Sequence, residues 1–362
     1  MTEQRLKVAV IGATGIAGQQ FLACLAGHPW FEVTALAGST RSAGKVYAEG
    51  IKLPNGATGW WAEGSVPDEF AGMVIEESGD LDPASVDLIF SAVDSDVARL
   101  LEPRYAAATP VVSAASAFRM EVDSPLLIPG VNSEHAPLVK EMARKRGWKG
   151  FVTAIPNCTT TGAAIALAPL HRAFGLKAVF VTSMQAVSGA GRSAGVLALD
   201  AMENIVPYIP GEEEKVEREL AKVLGRFTGR SIIPAPVAVS CTCTRVGVLE
   251  GHTEVVVADL ETQASVDAVT AAMRDFAPPE LVGLPTGPEA ARLIYVHEDP
   301  FRPQPRLDRD RGKGMVTTVG RVRKDGVLAN GVKFMLVSHN TKMGAAKGAV
   351  LVAELLKTQG LL

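Results

Sequence analysis

Cys158 lies in the run Pro156-Asn157-Cys158-Thr159-Thr160-Thr161-Gly162, directly before an apolar stretch from Ala163 to Leu170. A cysteine at a helix amino terminus meets unpaired backbone N–H groups and the positive end of the helix dipole, which favour its thiolate. The spacing predicts a nucleophile with a depressed pKa, and the same N–H groups can serve an oxyanion. Among six histidines, His252 stands out in Glu250-Gly251-His252-Thr253-Glu254, between two apolar runs. A histidine at a strand junction beside glycine is well placed to point into a cleft as acid and base. His28, His135, His171, His297 and His339 lack that context and read as surface or packing residues.

A second chemical motif is Gly12-Ala13-Thr14-Gly15-Ile16-Ala17-Gly18, a G-x-x-G-x-x-G loop. Its glycines permit a tight turn and close backbone approach, and the following helix terminus offers N–H groups to a pyrophosphate. A dinucleotide site is expected there. An acidic residue about 20 positions on would hold the ribose of NAD. The corresponding segment here is Ala37-Gly38-Ser39-Thr40-Arg41-Ser42, followed by Lys45, with no carboxylate. Hydroxyls with Arg41 suit a 2′-phosphate, so NADP is the expected cofactor.

These motifs need elements to position them. Lys7–Ile11, Phe31–Ala37, Gly72–Glu76, Asp87–Ala92 and Thr109–Ser113 read as strands, with helices over Ile16–Gly27 and Asp94–Ala108. That alternation predicts a parallel, doubly wound, Rossmann-like α/β domain. After about Phe151 the helices (Thr159–Phe174, Glu212–Leu224, Ser265–Asp275) separate longer β-rich runs: Lys177–Val187, Thr242–Leu249, Thr253–Leu260 and Gly314–Arg323. Lys324-Asp325-Gly326 signals a hairpin into Val332–Ser338. This half predicts an α+β second domain. A last helix, Gly344–Leu356, carries an apolar face that needs burial.

Composition narrows the class. With 362 residues, 47% of them apolar, the chain has enough material for two domains with sizeable cores. Thirty-six Lys plus Arg against 39 Asp plus Glu give a net charge of −3, which argues for neither nucleic acid nor an anionic membrane as partner. The polar start, Met1-Thr2-Glu3-Gln4-Arg5, and the lack of a long apolar run lead us to expect a cytoplasmic protein. Cys24, Cys158, Cys241 and Cys243 form no C-x-x-C pair, so no metal is expected; Cys241 and Cys243 read as packing residues on one strand face.

Taken together, further segments carry a resemblance. The glycine loop and Asn157-Cys158-Thr159-Thr160 are followed by Gln185-Ala186-Val187-Ser188-Gly189-Ala190-Gly191 and Asn204-Ile205-Val206-Pro207-Tyr208-Ile209. Then come Gly211-Glu212-Glu213-Glu214-Lys215, Arg245 seven residues before His252, Arg302-Pro303-Gln304-Pro305-Arg306 and Gly320-Arg321-Val322-Arg323. In this order they resemble aspartate-β-semialdehyde dehydrogenases of the archaeal and fungal type. The resemblance implies reduction of aspartyl phosphate by NADPH to the semialdehyde and phosphate, through a thioester on Cys158. It implies that His252 moves protons and Gln185 orients the acyl group. Arg245 would clamp the substrate carboxylate, and Glu212, with Glu213 as the neighbouring choice, would hold the ammonium. Lys215, Arg119 and Asn157 would face substrate and phosphate, and Ser188, Gly189 and Asn340 the cofactor. It also implies a cofactor domain of residues 1–155 and 341–362, a catalytic and dimerisation domain of residues 156–340, and a homodimer or homotetramer.

Three departures from the family pattern stand out: Ala114 replaces a usual Asn, Gly247 a common Pro, and Arg192-Ser193-Ala194 a Tyr-Pro-Gly-like segment. They leave the acyl substrate open, because related enzymes reduce donors such as malonyl-CoA on the same scaffold. A non-catalytic dinucleotide-binding regulator is the alternative of another class. Cys158, Gln185, Arg245 and His252 together argue against it.

Overall fold

The structure is a computed structural model and describes residues 4–190 and 198–362. The unusual segment at Arg192-Ser193-Ala194 and Gly191 of the glutamine motif lie outside the described residues.

Short aliphatic runs near the amino terminus build a six-stranded sheet from β1 (Leu6–Ile11), β2 (Phe31–Gly38), β3 (Ile75–Glu77), β4 (Leu88–Ser91), β5 (Val111–Ser113) and β6 (Val152–Ala154). The order is β3-β2-β1-β4-β5-β6, all parallel. Val8, Ala9, Val10 and Ile11 are fully buried, as expected for a central parallel strand covered on both faces. The strand order reverses between β1 and β4, so the glycine loop after β1 sits at the topological switch point, where such sheets open a crevice.

The second sheet has seven strands: β7 (Leu176–Gln185), β8 (Ile205–Val206), β11 (Ala238–Val246), β12 (His252–Leu260), β13 (Ile294–Val296), β14 (Thr317–Lys324) and β15 (Gly331–Ser338). A separate ribbon pairs β9 (Arg226–Phe227) with β10 (Ile232–Ile233). The large sheet runs β13-β14-β15-β12-β7-β11-β8, with β7 parallel to β11 and antiparallel to β12. Helices Cys158–Phe174, Glu212–Val223 and Val266–Arg274 pack against this sheet. Cys241 and Cys243 lie buried together on one face of β11, with their sulfurs 3.5 Å apart.

The Ala346–Thr358 helix returns to the first sheet. Ala346, Ala349, Val350, Val352, Ala353 and Leu356 enter the core around β1–β5, and the helix packs along Ile16–Leu25. Leu351 joins the core of the second sheet. From the same helix, the fully buried Glu354 lies 2.9 Å from His28 Nε2 and accepts from the Thr286 N–H at 3.0 Å. One carboxylate thus ties the first αβ unit to a loop of the second sheet.

Several sequence expectations shift at their ends, for local reasons. The expected strand Gly72–Glu76 begins only at Ile75, because Gly72 caps the Asp68–Ala71 helix and Val74 makes an isolated bridge to Val46. β7 stops at Gln185, and Val187 turns into a 3₁₀ segment. β11 starts at Ala238, four residues before the expected Thr242. The Lys324-Asp325-Gly326 turn is no tight hairpin: Asp325 Oδ1 accepts from the Val327 and Leu328 N–H groups and supports a wider loop. Helix Leu138–Arg146 was not anticipated. It is rich in charged residues and buries only Leu138, Val139 and Met142.

Replacing one partner of a buried polar network strands the others. Glu354→Ala should therefore lower stability by roughly 1–3 kcal/mol. Urea unfolding checks this: the midpoint should drop with little change in slope.

Candidate active site

The site forms where three strands of the second sheet end or begin together. In the parallel register of β7 and β11, Gln185 pairs with Arg245, the last residue pair of that ladder. β12 runs back along β7, with Thr253 opposite Met184, so His252 enters the sheet at the level where Gln185 and Arg245 leave it. Gly251, at φ +94°, makes the turn into β12, a conformation that favours glycine. Cys158 opens the long helix above this edge. Asn157 caps it, with Oδ1 accepting from the Thr159 and Thr160 N–H groups at 2.9 and 3.3 Å.

Cys158 Sγ lies 3.1 Å from His252 Nε2. His252 is fully buried, and its Nδ1 accepts a hydrogen bond from the Ala186 backbone N–H at 3.1 Å. A ring nitrogen that accepts carries no proton, so neutral His252 holds its proton on Nε2, directed at the sulfur. Burial, reinforced by the Arg245 charge, pushes the imidazolium down to about 3. Burial also pushes the Cys158 thiol up to about 12, with the Glu212 carboxylate adding to the rise and Arg119, the Thr159 N–H and Arg245 opposing it. The expectation of a depressed thiol is therefore overturned. A helix terminus acts locally, whereas desolvation by the packed site dominates. Both shifts favour the uncharged forms, a thiol beside a neutral imidazole.

Around this pair, Gln185 Nε2 donates to Thr159 Oγ1 at 2.9 Å. Arg245, buried beneath Gly189, donates through NH1 to the Ala186 carbonyl at 2.8 Å, and its Nε has no partner. Glu212 accepts from Asn157 Nδ2 at 2.7 Å and from Lys215 Nζ at 2.9 Å. Burial works to raise the Glu212 carboxyl, but the Lys215 ammonium and the hydrogen bonds from Lys215, Asn157 and Gln185 hold it below its ordinary value. Glu213 faces elsewhere. Its carboxylate accepts from the Cys243 N–H and, one turn on, Glu217 accepts from the Cys241 N–H, so both cover strand β11. Of the two neighbouring glutamates, Glu212 is the one that reaches the site. Arg119 is also buried, but its NH1 donates to Glu219 at 3.0 Å and its NH2 to the Ala114 carbonyl at 3.0 Å.

The glycine loop fits a dinucleotide. Gly12 has φ +75°, and a Cβ there would lie 2.6 Å from the Ala92 carbonyl oxygen. A Cβ on Gly18 would meet the Gly12 carbonyl oxygen at 2.2 Å, so the helix can approach the strand only with glycine. No side chain caps the Ile16–Leu25 helix and no acidic residue stands in its first turn. Its amino terminus suits a phosphate. Tyr47 Oη donates to the Ala13 carbonyl at 2.9 Å and braces the loop, a contact the sequence did not signal. Beyond β2, Ser39, Thr40 and Arg41 are exposed. Ser42 is instead buried, its hydroxyl donating to the Ser39 carbonyl, which makes it part of the turn.

Asn340 bridges the two motifs, accepting from the Gly251 N–H and donating to Ser188 Oγ, both at 2.9 Å. Gly344, expected to open the last helix, instead precedes its start at Ala346 and permits this segment to pass Cys158: a Cβ there would stand 2.8 Å from Cys158 Cβ. A cavity of about 640 Å³ is lined by Arg274, Arg292, Tyr295, His297 and Arg311 among others, none of them a residue of this site.

Two family models match this chain: the semialdehyde dehydrogenase NAD binding domain over residues 7–138, and the semialdehyde dehydrogenase dimerisation domain over residues 167–343. Aspartate-semialdehyde dehydrogenase from Archaeoglobus fulgidus is 46% identical over 97% of this chain and 98% of its own length. A malonyl CoA reductase (NADP) from Metallosphaera sedula is 34% identical over 98% of each chain. The crystal structure of the Candida albicans aspartate semialdehyde dehydrogenase with NADP superposes with a TM-score of 0.87 at 37% identity, covering 99% of this chain and 100% of that one. The chain belongs to the aspartate-β-semialdehyde dehydrogenase family, of the archaeal and fungal type.

The protonation state of the pair has a direct consequence for alkylation by iodoacetamide. In the ligand-free protein the rate at Cys158 should climb continuously between about pH 6 and 9, because only thiolate reacts. A plateau at acid pH, the mark of a thiolate–imidazolium pair, would show that burial does not control the thiol.

Proposed function

We propose that the protein is an NADP-dependent aspartate-semialdehyde dehydrogenase, converting L-aspartyl 4-phosphate to L-aspartate 4-semialdehyde and phosphate. The observation that carries this reading is the 3.1 Å Cys158–His252 contact set among Gln185, Arg245 and Glu212, beside a loop shaped for a dinucleotide. The sulfur of Cys158 bonds to the acyl carbon as the carbon–phosphate oxygen bond breaks, and the thiol proton leaves with the phosphate. The Nε2–H of His252 hydrogen-bonds the sulfur while it is anionic, both on attack and when the aldehyde departs, and the released thiolate then takes up one proton from solvent to restore the thiol. Gly12–Gly18 would hold NADPH, with Ser39, Thr40 and Arg41 at its 2′-phosphate, and the cofactor would supply the hydride that the thioester carbon needs. Gln185 and the helix terminus orient the carbonyl oxygen.

Substrate recognition follows from charge. The Arg245 guanidinium suits the α-carboxylate, offering two parallel hydrogen bonds, and Glu212 suits the α-ammonium, which would displace Lys215 as its cationic partner. Lys215, thus released, and Asn157 are available to phosphate. The 34% identity to a malonyl CoA reductase keeps one second reading in play: an acyl-CoA has no ammonium, so Glu212 would have nothing to hold.

The domain division broadly matches the two cores, although Leu126, Ile128, Val131, Ala154, Met343 and Leu351 reach from the first domain into the core of the second sheet. Residues 1–155 and 341–362 form the cofactor domain, supported by the packing of Ala346–Thr358 on Ile16–Leu25, and residues 156–340 form the catalytic domain. On the face of the large sheet away from its helices, Phe180 is 48% exposed, and Thr182, Ser240 and Thr242 are also exposed. We assign that face to a homodimer; an aromatic at the centre of a sheet is a poor surface residue unless covered. Phe180→Asp should yield monomers by light scattering, and a wild-type oligomeric mass for this variant would exclude the face. The free thiols at Cys241 and Cys243 suit a reducing, cytoplasmic setting.

Reverse-direction spectrophotometry with semialdehyde, phosphate and NADP tests the activity. Wild type should turn over with NADP favoured over NAD, and Arg41→Ala should shrink that preference. Cys158→Ala should bind NADPH but lose turnover. Arg245→Lys should recover only part of what Arg245→Leu loses. Glu212→Gln should impair use of aspartate semialdehyde; if it leaves that rate intact and the enzyme reduces malonyl-CoA, the acyl-CoA reading wins.

A further inference from the structure

We infer that Glu219 is a positioning residue that sets Arg119 against Cys158, and that it acts on the phosphate half of the reaction. The inference rests on the acyl-phosphate reading above.

Glu219 lies seven residues after Glu212 on the Glu212–Val223 helix. Two turns of α-helix return a side chain to nearly the same face, so it points toward the site from deeper in the fold. It is 1% exposed and both of its oxygens are engaged. Oε1 accepts from Arg119 NH1 at 3.0 Å, and Oε2 accepts from the backbone N–H of Asn157 at 2.6 Å. One rigid carboxylate therefore fixes a guanidinium from the cofactor domain and the backbone immediately before the nucleophile.

The surrounding contacts narrow what the arrangement does. Lys222, one turn further on, donates to the carbonyls of Arg119, Glu121 and Ser124 at 2.7 to 2.8 Å, so the loop already has a structural anchor that does not involve the Arg119 side chain. The Glu219 contact is directed instead at the guanidinium. Arg119 spends NH1 on Glu219 and NH2 on the Ala114 carbonyl, and leaves its Nε–H buried with no partner. An unpaired N–H on a buried, doubly tethered arginine is costly unless something completes it. Its charge is close enough to oppose the rise of the Cys158 thiol. Asn157, held by the same carboxylate, caps the catalytic helix and donates to Glu212. Glu219 thereby ties a group fit for the leaving phosphate to the backbone next to the sulfur that would displace it. Glutamine cannot substitute: its amide nitrogen would face one of the two donors.

The test is reverse-direction kinetics on the full-length protein, with inorganic phosphate, aspartate semialdehyde and NADP varied in turn. Glu219→Gln should raise the phosphate KM roughly tenfold or more, while the NADP KM stays within about twofold. The double variant Arg119→Met/Glu219→Gln, which removes the buried ion pair altogether, should show the same phosphate KM as Arg119→Met alone. That equality decides the question even if Glu219→Gln fails to fold. A wild-type phosphate KM in Glu219→Gln, equal changes in the phosphate and NADP values, or additive effects in the double variant would each overturn the inference. Failure of the functional reading is distinguishable, since the wild type itself would then not turn over.

Discussion

The hydrogen bond from the Ala186 N–H to His252 Nδ1 constrains everything else at the site. A backbone donor cannot be moved or titrated, so it permits the imidazole only one proton while the ring stays docked. That proton sits on Nε2, facing Cys158 Sγ. Protonating Nδ1 as well would set two N–H groups against each other in a buried site. Desolvation pushes in the same direction and favours the uncharged thiol at Cys158. Two buried guanidinium Nε–H groups near this pair, those of Arg119 and Arg245, have no partner within the protein.

The fold supplies that constraint by register. Ala186 follows the last residue of β7, and His252 begins β12, the antiparallel neighbour of β7. A one-residue slip between these strands would turn His252 to the opposite face of the sheet. The eight-residue ladder of β12 with β15 guards against such a slip, since it pins His252 opposite Ser338. Asn340, just past β15, then holds the Gly251 N–H and fixes the turn from the other side. The Ala346–Thr358 helix follows directly and packs into the first domain. The two sheets are thus joined within a few residues of the Cys158–His252 contact.

Much of this was legible in the sequence where the signal was local. Cys158 before an apolar helix, His252 at a glycine turn and the glycine loop after β1 each announce themselves within a few residues. The alternation of strands and helices likewise gives the Rossmann-like half. Long-range features carried no such signal. The tether from Glu219 to Arg119 spans 100 residues, and the braces from Ala186, Tyr47 and Gly344 depend on a backbone path. The thiol shows the limit most clearly. Its helix terminus is visible in the sequence and favours thiolate, whereas the desolvation that opposes it comes from groups brought in from far along the chain, Glu212 and His252 among them.

Nitrogen-15 NMR of histidine-labelled, ligand-free protein tests the central claim most directly, with His252→Gln used to assign the resonance. The structure predicts a neutral His252 with a bare Nδ1 and a protonated Nε2, unchanged from neutral pH down to well below the ordinary histidine range. A proton on Nδ1, or an imidazolium at neutral pH, would contradict it.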